Sequence, residues 1–259
     1  MAMISDMPQN RFKRGLKSGT PQIGLWMSLT SPVAVEIVAG AGYDWMLLDM
    51  EHSANDLPEI GQQLRAAVGG TAEPVVRAPW NDFVTIKRLL DIGVRSFLIP
   101  FVQNADEARR VVAATRYPPK GIRGVATATR ANRYGRVTDY MKRAEEEICV
   151  LVQVETTTAL KEIEAIAAVD GVDGIFIGPS DLAAAMGHLG NPQHADVQGA
   201  ILEAGARIRK AGKAAGYLSA RDDEIRKTLD AGFGFVAVGS DVVLVARHSE
   251  ALVRTYKKG

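Results

Sequence analysis

A closed barrel of eight parallel strands alternating with helices, the (β/α)8 architecture, is the fold this sequence predicts. Three observations carry that prediction. Eight short apolar runs of strand length recur along the chain, and each is followed by a polar or Gly/Pro turn. An amphipathic stretch of helical period comes after each turn. The 259 residues are close to the roughly 250 that one such barrel uses. Strict alternation of this kind closes into a barrel. The competing open doubly wound sheet needs a Gly-rich phosphate turn after an early strand. None is present, because Gly40-x-Gly42 precedes a strand and caps the helix before it.

In chain order, the first strand is 23–27, apolar around Gly24, with its helix at 32–41. The run 45–49 ends in Asp49 and leads to the helix 57–68; the run 74–77 ends in Arg77 and leads to 83–90; the run 96–100 leads to 105–114. The next connection, from Phe101 to about Ile148, is far longer than one helix requires. Between Glu107 and Asp139 it holds eight Arg and Lys, from Arg109 to Arg136, and no acidic residue. Strand five, 149–155, is followed by the helix 160–168. The last three pairs are 174–178 with 197–210, 214–219 with 223–231, and 235–239 with 242–256. No composition shift marks a linker, so residues 1–259 are read as one barrel domain.

Composition bounds the function. Lys and Arg number 31 against 30 Asp and Glu, so nothing electrostatic points to nucleic acid or an acidic membrane. The expected partner is a small molecule or another copy of the chain. Cys149, the one cysteine, lies in an apolar run and reads as a core thiol. A single cysteine cannot form an internal disulfide, which fits a reducing cytoplasm. The apolar stretch 23–29 falls well short of the roughly 18 residues a membrane span needs, so no inserted or exported segment is expected.

Working residues of such a barrel lie at the C-terminal ends of its strands. That filter returns Asp49, Glu51 and His52 after strand two, Arg77 ending strand three, Gln153 and Glu155 ending strand five, and Gly178-Pro179-Ser180-Asp181 after strand six. Side chains alternate along a strand, so Gln153 and Glu155 share a direction and Glu155 can face the mouth. Glu155 and Asp181 on adjacent strand ends suit a hard divalent ion, magnesium or manganese. The alternative is that Glu155 pairs with an arginine and Asp181 enriches a helix first turn. The Ser180 and Asp181 N–H groups can take a substrate carboxylate, or Ser180 is a plain helix cap. His52 suits proton transfer, with Asp49 or Asp91 as its orienting carboxylate. Arg77 can stabilise an oxyanion or form a structural ion pair. Strands five and six carry no lysine and Lys213 sits at the wrong end of strand seven. Schiff-base chemistry therefore has no nucleophile.

Four segments taken together resemble the metal-dependent pyruvate aldolases, the family that includes the 4-hydroxy-2-oxoheptane-1,7-dioate and 2-keto-3-deoxy-L-rhamnonate aldolases. They are residues 44–52, 118–125, 152–155 and 171–182, and the similarity runs from about Phe12 to the C-terminal helix. The resemblance implies a (β/α)8 barrel whose last helix is exchanged with a neighbouring subunit, in a hexamer built as a trimer of dimers. It implies that Glu155 and Asp181 hold the metal (Mg2+ or Mn2+, with Co2+ an alternative) and that Gln153 and the Ser180-Asp181 backbone bind the 2-oxo acid. It further implies that His52 is the base, that Asp91 raises its basicity and that Arg77 stabilises the transition state. The implied reaction is reversible cleavage of a 4-hydroxy-2-oxo acid, in aromatic or sugar-acid breakdown. Met50 and Ser180 depart from the usual Gly and Ala of these relatives, and leave pyruvate or hydroxypyruvate open as donor.

The basic connection could reach the distal carboxylate of an acidic aldehyde, or be solvated. Three competing readings remain at this stage. One is a CoA-thioester lyase of the citrate lyase and malyl-CoA lyase type. Another is a phosphate-handling barrel isomerase, suggested by Gly239-Ser240. The third is a non-catalytic scaffold.

Overall fold

The computed structural model describes residues 5–257; residues 1–4 and 258–259, the ends of the expected single domain, lie outside the described residues. The chain runs α1 (Arg11–Ser18), β1 (Gln22–Met27), α2 (Pro32–Ala39), β2 (Trp45–Asp49), α3 (Leu57–Ala66), β3 (Glu73–Arg77), α4 (Phe83–Asp91), β4 (Ser96–Ile99) and α5 (Ala105–Thr115). It continues through a 3-10 turn (Arg130–Asn132), α6 (Tyr140–Glu147), β5 (Cys149–Val154), α7 (Thr157–Lys161), α8 (Ile163–Ala167), β6 (Gly174–Ile177) and α9 (Pro179–Ala185). The last elements are α10 (Ala195–Lys210), β7 (Ala214–Leu218), α11 (Asp222–Asp230), β8 (Phe235–Ser240) and α12 (Asp241–Tyr256). All eight strands are parallel, and β1 pairs with both β2 and β8, closing the (β/α)8 barrel.

Period-two alternation splits the core into two layers. Outward-facing residues such as Met46, Leu48, Val76 and Val152 pack against the helices. Inward-facing residues, among them Trp45, Leu47, Val75, Leu98, Cys149, Leu151 and Phe176, fill the barrel. Extending the inward rows to the strand ends places Asp49, Arg77, Gln153 and Glu155 at the mouth. Cys149 is fully buried, and burial raises its thiol well above the ordinary value, as a core cysteine should behave.

The opposite pole is closed by α1, a helix that the periodicity reading leaves out. Its sequence RFKRGLKS is short and mostly polar, and its one apolar face is the i, i+4 pair Phe12 and Leu16, both packed in the barrel floor. Phe12 nevertheless plugs the barrel floor, its ring 5.6 Å from Trp45 and 5.8 Å from Phe235. Gly24 makes room for this packing, because a Cβ there would stand 2.3 Å from the Trp45 ring.

The long connection after α5 does not reach its own mouth. Its 3-10 turn packs on α4 at the closed pole, where Arg130 donates to Ile92 O at 3.0 Å and to Leu64 O at 3.3 Å. Lys213 donates to Val172 O at 2.6 Å, at the same pole. Ser240 caps α12 by accepting the Val243 N–H at 3.3 Å. The Gly239-Ser240 pair is thus a helix start, and the buried Asp241 carboxylate next to it, which accepts the Ser28 and Leu29 N–H groups, sets a negative charge where a phosphate would bind.

Candidate active site

Asp49 is the anchor of the mouth. It is 2 % exposed, and accepts from Arg77 Nε at 2.8 Å and Nη2 at 2.7 Å. It also accepts from Trp26 Nε1 at 3.2 Å and from the Glu51 N–H at 3.0 Å. Burial works to raise its pKa, but the hydrogen bonds and the Arg77 charge prevail and hold it below the ordinary value. With its oxygens so occupied, Asp49 orients Arg77 and the 50–52 turn, not the His52 ring. Arg77 is fixed in turn, with its guanidinium 4.8 Å from the centre of the Trp26 ring. Its remaining nitrogen, Nη1, stands 2.7 Å from Glu51 Oε2, an ion pair without hydrogen-bond alignment. Arg77 thus forms the structural ion pair of its second reading, at the barrel mouth.

His52 projects from the same turn and its side chain is 66 % exposed. The carboxylate facing it is Glu51, with Oε2 3.9 Å from Nε2. Asp91 lies elsewhere in the chain. It ends α4, which descends to the closed pole, and pairs there with Arg123 at 3.7 Å. Within one chain it is therefore a whole barrel length from His52. Burial raises the Asp91 pKa against the pull of Arg123 and Lys87.

Glu155 follows β5 by one residue and is 2 % exposed. Its Oε2 accepts from Gln153 Nε2 at 2.6 Å and its Oε1 from the Phe101 N–H at 2.8 Å. Burial foremost, then the Glu51 and Asp181 charges, pushes its pKa up to about 7 against the pull of those two bonds. Glu51 is raised as well, by burial first and then, against Arg77, by Asp49 and Asp181. Three carboxylates therefore share one field. Gly178 is required beside them, since a Cβ there would lie 2.6 Å from Glu155 Oε2.

Gly178, not Ser180, occupies the N-cap of α9, and no side chain caps that helix. Asp181 and Ser180 stand exposed in its first turn. Phe101 adopts a left-handed φ of 56°, which is costly for a bulky residue and delivers its N–H to Glu155. Its ring stacks on exposed Trp80 at 5.7 Å. Neither this backbone donor nor the Glu51 pairing was legible as a role in the sequence.

The donor set fits a hard divalent cation. The Glu51 and Asp181 charges raise the Glu155 pKa, the Asp181 charge also raises that of Glu51, and the buried Gln153 Oε1 has no partner among the described residues. A second group, His188, His194 and Asp196, has ligand-type atoms within 4.8 Å of one another. Its imidazoles lie stacked at 3.6 Å and 14°, so their in-plane lone pairs run side by side. His194 Nδ1 also accepts the Asp196 N–H at the start of α10. That cluster reads as a helix cap.

The Glu155 field has a pH consequence. In metal-free protein the folded state holds this proton more tightly than the unfolded chain. Its contribution to stability is therefore full below the ordinary value of 4.5 and is lost as pH rises to about 7. Cation binding runs the other way, because it needs the carboxylate. Titrating Mn2+ calorimetrically should show affinity falling about tenfold per pH unit below neutrality. A flat profile between pH 5 and 8 would count against Glu155 as a ligand.

A protein-family model described as HpcH/HpaI aldolase/citrate lyase matches residues 22–248. A 4-hydroxy-2-oxo-heptane-1,7-dioate aldolase from Klebsiella pneumoniae subsp. pneumoniae is 54% identical over 248 residues, 95% of this chain and 94% of that protein. The crystal structure of an HpcH/HpaI aldolase/citrate lyase family protein from Burkholderia cenocepacia J2315 superposes with a TM-score of 0.91. The two are 39% identical, covering 95% of this chain and 98% of that one. The citrate lyase beta subunit from M. tuberculosis, at 18% identity and a TM-score of 0.56 over 85% of this chain and 92% of that one, shares the fold alone.

Proposed function

This chain belongs to the HpcH/HpaI aldolase/citrate lyase family, and from that premise we propose that it is a divalent-metal-dependent aldolase, a carbon–carbon lyase. It cleaves a 4-hydroxy-2-oxo acid reversibly to pyruvate, or a close 2-oxo acid such as hydroxypyruvate, and an aldehyde. The observation that carries this reading is Glu155, buried beside Gln153 and charge-coupled to Glu51 and Asp181 at the barrel mouth. Distance from the citrate lyase fold relatives sets the CoA-thioester alternative behind it.

Glu155 and Asp181 would hold the ion, Mg2+ or Mn2+ by their hard oxygen donors and Co2+ less readily. When bound, the ion supplies Lewis-acid polarisation of the substrate's 2-oxo group. Gln153 keeps Glu155 aligned through its amide N–H, while the Ser180 and Asp181 N–H groups at the uncapped start of α9 donate to the substrate carboxylate. His52 takes the proton of the 4-hydroxyl in cleavage. The C3–C4 bond breaks, the aldehyde leaves, and the electron pair remains on the three-carbon enolate until C3 is protonated. In condensation His52 takes the C3 proton instead. Arg77, locked by Asp49, offers Nη1 to the developing oxyanion in exchange for Glu51.

Asp91 reaches a His52 only across a subunit boundary, which an oligomer supplies. In α12, Val242, Leu244, Val245 and Val253 are exposed and only Asp241 is buried. Such an apolar helix supports exchange with a neighbouring subunit in a hexamer built as a trimer of dimers. No helix among the described residues is long and apolar enough to cross a membrane. With its lone buried thiol, the chain is assigned to the cytoplasm.

The test is a retro-aldol screen of metal-reconstituted protein over 4-hydroxy-2-oxo acids, coupled to pyruvate detection. Metal-dependent release of pyruvate is expected. Turnover of acyl-CoA esters alone would overturn the reading.

A further inference from the structure

The barrel has a second concave feature, at its closed pole, and the aldolase chemistry makes no use of it. A cavity of about 580 Å3 opens between the N-terminal ends of β3, β4 and β5 and the turn that follows α5. That volume lies within the roughly 300–1,000 Å3 of small-molecule sites. Five guanidiniums line it, from Arg11, Arg95, Arg130, Arg133 and Arg136, with two carboxylates, Glu73 and Glu147. Both carboxylates are already engaged. Glu73 pairs with Arg95 and, at 3.3 Å, with Arg11. Glu147 pairs with Arg14 at 2.5 Å and accepts the Asn10 N–H at 2.6 Å.

Three cations are left over. Arg130, Arg133 and Arg136 make no ion pair among the described residues; Arg130 bonds two carbonyls and Arg136 bonds Arg133 O at 2.9 Å. Arg130 uses those carbonyls to cap the ends of α3 and α4, which accounts for its position but leaves its charge uncompensated. Burial first, then the nearby Arg65 and Arg95 charges, hold it below the ordinary arginine value. Arg95 Nε is buried and unpartnered among the described residues.

The turn that carries these arginines is pinned. Arg133 and Tyr134 take left-handed φ values of 53° and 59°. Such a pair persists only where surrounding bonds over-determine it. Here the Tyr134 N–H donates to Thr129 O at 2.7 Å, and Asn132 Oδ1 accepts from Thr129 and Gly135 at 3.0 and 2.9 Å.

We propose that this cavity binds a small organic polyanion, a dicarboxylate or a phosphate ester, through Arg95, Arg130, Arg133 and Arg136. The carbon skeleton would lie on Leu64, Val68 and Val94, which also line the cavity. Planar guanidiniums match both carboxylate and phosphate geometry. Within one chain the site lies a barrel length from the mouth, and competition by pyruvate tells its failure apart from that of the aldolase reading.

The experiment is isothermal titration of the Mg2+-loaded full-length protein at low salt, with glutarate and glycerol 3-phosphate as separate probes. One of them is expected to bind, and which one identifies the anion. R130Q/R136Q should weaken it at least about tenfold. Because Arg130 also caps two helices, R136E is the second variant. Its side chain is exposed, so melting temperature should hold while affinity falls. Saturating pyruvate should leave the affinity unchanged. The proposal is overturned if neither probe binds, if both variants bind like wild type, or if pyruvate competes.

Discussion

Glu155→Gln is expected to abolish measurable retro-aldol turnover and to weaken Mn2+ affinity by more than about 100-fold. Losing an outer-shell partner of a metal ligand costs roughly 10- to 100-fold, and Glu155 is placed as a direct ligand. The substitution is close to isosteric: the new amide oxygen still accepts the Phe101 N–H, and Gln153 can turn its own amide so that its unpartnered Oε1 accepts from the new NH2. It also removes one of the three carboxylates whose fields overlap, so the pH dependence of cation binding should flatten. A melting curve separates these effects from misfolding. Burial disfavours the ionised Glu155 in metal-free protein, so the neutral amide should melt no lower than wild type at pH 8.

The second large effect belongs to His52. His52→Ala should lower kcat by about 100- to 10,000-fold, the usual range for a lost general base, while metal affinity stays within a few-fold. His52 is exposed and its imidazole lies 3.9 Å from Glu51, so its removal leaves no cavity and the fold should be unaffected. The split between the two variants is the informative part. Glu155→Gln loses the cation and the chemistry together, whereas His52→Ala retains cation binding and loses proton transfer. A His52→Ala enzyme with wild-type kcat would assign the base elsewhere at the mouth.

The barrel was legible because its strands alternate and its helices follow, and the inward rows fixed by that alternation lead straight to Asp49, Arg77, Gln153 and Glu155. Parity along β5 placed Gln153 and Glu155 on one side, and they are hydrogen-bonded. What sequence could not show was contact across strands. Asp49 spends its oxygens on Arg77 and Trp26, neither of which is a neighbour in sequence. The carboxylate beside His52 is Glu51, which the strand-end filter returned but to which the sequence pattern assigned no role. Asp91 illustrates the same limit. Its helix position was visible, yet the descent of α4 puts it beside Arg123 at the other pole, so its link to His52 needs a neighbouring copy.

Two further features escaped for definite reasons. The plug helix α1 precedes the first strand, outside the strand-then-helix alternation, and its only period signal is the single pair Phe12 and Leu16 at i, i+4. The arginine-rich connection was visible as composition only. Charge along a sequence carries no direction, and its arginines from Arg130 to Arg136 turned out to line the closed pole, not the substrate mouth.

The most direct test of the central claim uses no aldehyde. Exchange of the pyruvate methyl protons for deuterium can be followed by NMR in D2O on the wild-type protein, before and after chelation and on adding back Mg2+ or Mn2+. Enolisation should be fast with the ion, lost after chelation and restored on re-addition. Full exchange in protein shown by elemental analysis to be metal-free would contradict a divalent-metal aldolase at Glu155 and Asp181.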